Sequence, residues 1–305
     1  MLATHILLAA TLAGVSSVSA GVPASAASSA NEYQQSIEHW HAQRVDRLRA
    51  EGGWLSLVGL PWLKPGTNSV GSGTDNDIEL KQAAKHLGVV TWHKDGSVDI
   101  ALDKDSGALI NGKHVATAPL LDDGHDQPTV VSFGTTSFYL ITRNGKKGLR
   151  VKDTQASTRT GFVGIDSYPI DPSWRIVAKW VPFHPVHHVK VATRIGTLAE
   201  FPVPGKAVFQ RDGKTYEILP VIEVPGDTEL FVMFADRTSG KETYGAGRFL
   251  YAAMPKDGKI ILDFNKAYNP PCAFTPYATC PLAPPENRLD LRVNAGEKKY
   301  AGSEE

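Results

Sequence analysis

From Trp54 onward the chain is built of short alternating segments broken by Asn-Gly and Asp-Gly dipeptides. Such pairs accept positive φ in a tight two-residue turn, so each one joins antiparallel strands. They stand at Asp95-Gly96, Asn111-Gly112, Asn144-Gly145, Asp212-Gly213 and Asp257-Gly258. Between them, strands are predicted at Gly88–Trp92, Val98–Leu102, Ala108–Ile110, Val130–Phe133, Phe138–Thr142 and Gly148–Lys152. Further strands follow at Trp174–Val181, Val186–Thr193, Ala207–Gln210, Thr215–Leu219, Leu230–Phe234, Arg248–Met254, Ile260–Phe264 and Leu289–Val293. Trp174, Ile176, Ala178 and Trp180 would share one face of theirs. The pattern predicts an all-β chain: two packed sandwich or barrel modules behind one N-terminal helix.

That helix is expected over 31–53, capped by Asn31 and closed by Gly52-Gly53. Tyr33, Ile37, Trp40, Val45 and Leu48 form its apolar stripe, with Arg44, Arg47 and Arg49 late. The small residues before it, 21–30, read as a linker. Residues 1–20 read as an export leader ending Val18-Ser19-Ala20, too short to span a bilayer well, which implies a periplasmic or secreted protein. Lys plus Arg equal Asp plus Glu at 32 each, so no electrostatic footprint for nucleic acid or an anionic membrane is present. No cofactor is predicted, and the oligomeric state is left open.

A seam at Thr154–Thr160 separates modules at 54–153 and 160–300. In the first, Val70–Leu80, Leu109–Lys113, Leu120–Gly124, Phe133-Gly134 and Phe138–Ile141 resemble a forkhead-associated (FHA) β-sandwich. That family's phosphothreonine site uses an Arg after the first Gly and a Ser-x-x-His. Here Gly71 is followed by Ser72, and the later stretch reads Ala83-Ala84-Lys85-His86. The resemblance therefore implies a scaffold rather than a phosphopeptide reader.

The stretch from Asp236 to Arg292 concentrates the polar chemistry and both cysteines. Together with WLSLVGLPWLKPG at Trp54–Gly66 and AGEKKY at Ala295–Tyr300, it resembles a bacterial family of unknown function numbered 1684, over Trp54 to Tyr300. No activity comes with that resemblance. Cys272 and Cys280, with seven residues between them, read as a disulfide in an exported protein, worth about 2.5 kcal/mol by loop entropy. The alternative is a Cys- or metal-dependent enzyme centred on Cys272. Asp236, Glu242 and Tyr244 follow one strand, Arg248 opens the next, and Asp263 and Asn265 close a third. Gathered at one rim, Asp263, Glu242 and Asp236 are candidate acid–base groups, and Arg248 would stabilise charge. Tyr244, Asn265, Tyr268, Asn269, Asn287 and Arg288 are candidate ligand contacts. His184, His187 and His188 form a weaker metal candidate, since a strand points His187 away from the other two. No G-x-S-x-G, H-E-x-x-H or Walker sequence occurs. The expected function is binding of a small polar or glycan-type ligand, with possible hydrolysis; the alternative is a structural or protein-interaction module without catalysis.

Overall fold

The computed structural model describes residues 24–302, with side chains from residue 30, so the leader expected over 1–20 lies outside the described residues. The backbone is helical from Ala24 to Arg49 (α1), seven residues earlier than Asn31. Residues 24–30 of the stretch expected as a linker are thus part of the helix, because their Ala and Ser residues carry no helix-breaking side chain. Of the stripe, Ile37 and Leu48 are buried, and Arg44 unexpectedly joins them. A single 3₁₀ turn at Trp54–Ser56 links α1 to the first module.

That module holds β1 (Leu57–Gly59), β2 (Gly66–Gly71), β3 (Ile78–Glu79), β4 (Gly88–Trp92), β5 (Val98–Leu102) and β6 (Leu109–Ile110). It continues through β7 (Thr117–Pro119), β8 (Val130–Phe133), β9 (Thr136–Arg143) and β10 (Lys146–Asp153). Two five-stranded sheets result, ordered β1-β10-β9-β8-β6 and β3-β2-β4-β5-β7. Val70, Val90 and Ile100 from one sheet meet Val131, Phe138 and Leu149 from the other in a single core. The turns form as their dipeptides require: Asn111, Asn144, Asp212 and Asp257 all lie near φ +50, each followed by a positive-φ glycine. Asp95 differs. Its carboxylate accepts the backbone N–H of Ser97 at 2.9 Å, beside backbone bonds from Gly96 N to His93 O and from His93 N to Ser97 O.

A short helix, α2 (Ser157–Thr160), occupies the seam. The second module then comprises β11 (Arg175–Ala192), β12 (Leu198–Arg211), β13 (Lys214–Ile218), β14 (Glu229–Phe234), β15 (Arg248–Ala253) and β16 (Lys259–Asp263). A four-stranded sheet, β13-β12-β11-β16, faces the pair β14-β15. The strands expected at Trp174–Val181 and Val186–Thr193 are one strand, because the β11–β12 ladder resumes after a register shift between Pro182 and His187. Trp174 and Ala178 are buried in the inner core, with Ile176 and Trp180 packed against it.

Strand β14 is buried on both faces. Leu230, Val232 and Phe234 enter the inner core, while Phe231 and Met233 pack outward with Leu57, Phe249 and Cys280. The apolar alternation at Leu289–Val293 is real, since Leu289, Leu291 and Val293 are all buried. Yet the segment is an irregular strap rather than a strand. It joins the module through isolated bonds, from Leu289 N to Ala235 O at 2.8 Å and from Arg237 N to Leu291 O at 2.9 Å. Gly247, at φ +98, lets β15 begin against β14: an added Cβ would sit 2.4 Å from the Phe234 carbonyl oxygen.

Candidate functional site

The expected single rim of carboxylates is divided in the fold. Asp263 is held against α1, while Asp236 and Glu242 belong to two neighbouring clusters, with Tyr168 beside Glu242 within electrostatic reach of Arg248. Asp236 accepts Val293 N at 2.7 Å and Thr238 Oγ1 at 2.6 Å, with Arg248 Nη2 at 3.3 Å. Arg248 is 1% exposed, donates to the carbonyls of Val293, Ala295 and Glu297, and lies over the Phe234 ring. Together they clamp the C-terminal strap. Asp263 instead accepts Tyr33 Oη from α1 at 2.8 Å, and Asn265 donates to Asp171 O at 2.8 Å while accepting Asp171 N. Glu242 sits on the surface between Arg292, which donates to both its oxygens, and the Tyr168 hydroxyl at 2.9 Å. Arg292 and then Tyr168 hold its carboxyl below the usual range.

The amides are similarly committed. Asn287 donates to Leu219 O and Met233 O and accepts Leu219 N, tying the strap to β13 and β14. Asn269 donates to Lys298 O at 2.7 Å. The hydroxyl of Tyr244 donates to Cys272 O at 3.2 Å, and Arg288 is exposed at a bridge to Ala235. Cys272 and Cys280 form a disulfide, which leaves neither as a thiol nucleophile. His184, His187 and His188 are exposed on β11, and His187 stacks on Phe183. Among the described residues no cluster of His, Cys, Asp or Glu is placed to hold a metal ion.

Of the expected contacts, Tyr268 alone lines a hollow beside α1. It measures about 520 Å³ and is walled by Trp40, Trp54, Phe231, Phe249, Tyr251 and Tyr268. Its wall follows from strand register. Phe231 pairs with Tyr251 across β14–β15, Phe249 lies two residues from Tyr251 on the same face, and Tyr268 bridges to Phe249. These four rings pack edge to face or offset, at centroid separations from 4.8 to 6.3 Å. Opposite them, α1 contributes Trp40, Arg44 and Arg47, and Lys266 and Glu229 stand at the margin.

Arg44 explains why a cation lies on an apolar stripe. Its Nε donates to Glu297 Oε1 at 3.1 Å and its Nη2 to Asn269 O at 2.9 Å, while its Cζ lies 4.8 Å from the Tyr268 ring centroid. Glu297, itself 2% exposed, also accepts Asn269 N. This buried pair fixes the helix to the floor of the hollow. Tyr251 donates a short hydrogen bond to Glu223. Burial first, then Tyr268 and Glu223, push the Tyr251 hydroxyl far above the usual tyrosine range, so it stays a donor.

A second hollow of about 410 Å³ shares Trp54, Glu223, Phe249 and Pro271 with the first and runs on toward the first module. Arg143, Asn144 and Arg150 from the β9–β10 hairpin line it, with Thr193 and Thr197 from the β11–β12 turn and Thr279 and Cys280 from the disulfide loop. The two form one cleft at the junction of α1 and both modules, each within the size range of small-molecule sites. Reading by motif missed it, because its residues are scattered from position 40 to 281. Two signals were nevertheless present: aromatics at period two on the outward faces of β14 and β15, and an arginine on the apolar stripe of α1.

The fold and cleft define an all-β protein whose cleft has a mixed aromatic and charged lining. Residues 160–298 match the family described as protein of unknown function (DUF1684), a narrower span than the resemblance over Trp54 to Tyr300 suggested. Among solved structures, an uncharacterised protein from Haloarcula marismortui is 29% identical, covering 47% of this chain and 80% of its own, with a TM-score of 0.40. An FHA domain, from work on phosphothreonine-dependent interactions, is 19% identical over 30% of this chain and 92% of its own, with a TM-score of 0.21. No curated protein matches. No helix among the described residues is long and apolar enough to cross a membrane.

Proposed function

We propose that this protein binds an extended polar ligand of glycan type in the cleft between α1 and the two modules. The observation that carries this reading is the set of aromatic faces along one continuous hollow, with charged groups at its margins. Sugar rings present apolar C–H faces and polar edges, so they stack on aromatic walls while their hydroxyls meet charged side chains. Glu223 is the carboxylate common to both hollows, and Tyr251 holds it in place. Any acid–base role therefore falls on Glu223 rather than on Asp263, Glu242 or Asp236, which are engaged in holding the fold.

A titration of neutral and acidic oligosaccharides, followed by tryptophan fluorescence, tests the binding. Saturable quenching is expected from Trp40 and Trp54. Tyr268→Ala should weaken it about tenfold, the effect of truncating one central aromatic anchor. Unchanged affinity in Tyr268→Ala and Trp40→Ala would sink the proposal. Glu223→Gln separates binding from turnover, since it should keep the affinity and remove any hydrolysis of the bound glycan.

A further inference from the structure

Arg150 is the least satisfied charged group of the second hollow. Its side chain is 5% exposed, yet its nearest hydrogen-bond partners are distant: Thr279 Oγ1 at 3.4 Å from Nη2 and Tyr139 Oη at 3.5 Å from Nη1. The buried Nε has no partner at all. One carboxylate stands near, Asp123 Oδ2 at 3.7 Å, but both oxygens of Asp123 already receive Arg143. Lys152 adds a further positive charge, and burial first, then Arg150, push its ammonium down. Glu223, the other carboxylate of this hollow, is held by Tyr251.

A buried guanidinium has five donors, and leaving them unmade costs more than a neutral group would. Native proteins rarely keep such a group without a reason. The groups packed on Arg150 are two rings and one shared carboxylate. Trp54 covers it at 5.1 Å, Tyr139 lies 5.9 Å from it, and Asp123 is shared behind. Arg150 lines the hollow to which Thr193, Thr197, Thr279 and Asn144 add further polar atoms. A planar carboxylate matches the fork of a guanidinium in two parallel bonds, and the threonine hydroxyls suit its second lone pairs.

We infer that Arg150 forms an anion subsite, and that the glycan bound in the cleft is an acidic one whose carboxylate docks on this guanidinium. The inference rests on the glycan reading for the rest of the ligand, while the subsite stands on Arg150 itself. Neutral ring faces lie along Phe249, Tyr251 and Tyr268, and the acidic residue passes Trp54 to reach Arg150.

Calorimetric titration with tetragalacturonate and with its methyl ester, which keeps the size and removes the charge, tests this. The acid should bind about tenfold more tightly or better than the ester. Arg150→Met should bring the two affinities together, while Tyr268→Ala should weaken both alike. Unliganded Arg150→Met should melt no lower than the native protein, because it removes an unsatisfied charge; a guanidinium that only braces the fold would give a lower melting temperature. Equal binding of acid and ester overturns the anion subsite and leaves the glycan reading standing. If neither saccharide binds, but inorganic sulfate raises the melting temperature in a way that Arg150→Met abolishes, the subsite stands and the glycan reading falls. No binding and no sulfate effect overturn both.

Discussion

Arg248 and Asp236 show how a charged pair can look catalytic in a sequence and be structural in the fold. Both side chains are all but inaccessible, at 1% and 0%. Arg248→Met leaves the Asp236 carboxylate buried without its partner, which should cost about 3–5 kcal/mol in urea unfolding. Adding Asp236→Asn should recover part of that loss, because the uncompensated charge is gone. The partly exposed trio of Tyr168, Glu242 and Arg292 makes a pH prediction. Partial burial first, then Glu242, push the Tyr168 hydroxyl up to about 12. A raised folded value stabilises below the ordinary tyrosine range of about 10 and is lost as pH rises through the folded value. Melting temperature should therefore fall between about pH 10 and 12, and Tyr168→Phe should flatten that limb. Glu242 has the opposite sign. Its lowered value stabilises above the usual carboxylate range and is lost in acid, so Glu242→Gln should flatten the acid limb instead. The sequence lists all these residues. It could not say which of them spend their polar groups on backbone carbonyls, because the irregular strap that supplies those carbonyls has no periodic signature.

Among the elements, the β-hairpins were the most legible, since Asn-Gly and Asp-Gly at Asn144 and Asp212 need no tertiary context to turn. Strand β14 was legible as a strand but not as one buried twice, which depends on the disulfide loop lying across its outer face. The start of α1 was misread because small residues carry neither a helix signal nor a linker signal strong enough to decide. The disulfide loop has its own test. Replacing Cys272 and Cys280 by serine opens a loop of sequence separation 8 and should lower stability by about 2.5 kcal/mol in the chain-entropy account. Because Pro271 and Cys280 line the cleft, the same variant should also weaken ligand binding. A stability loss with unchanged affinity would assign the loop to bracing alone.

At the scale of the molecule, each module has a core of its own, one joining the two sheets of the first and one inside the second. Residues 54–153 and 160–298, produced separately, should each show β-rich circular dichroism, and neither should bind the saccharides proposed for the cleft. The cleft is legible in neither half, since Trp40 and Arg44 come from α1, Trp54 and Arg150 from the first part, and Phe249, Tyr251 and Tyr268 from the second. The span that matches a family, residues 160–298, holds the aromatic β14–β15 wall but not Arg150, Arg143, Trp54 or Arg44. A chain that shares only that span has the aromatic wall without the cationic side chains of the rest of the cleft. On the proposed reading, ligand preference would then diverge by exchange of the facing half, with the shared half left as it is.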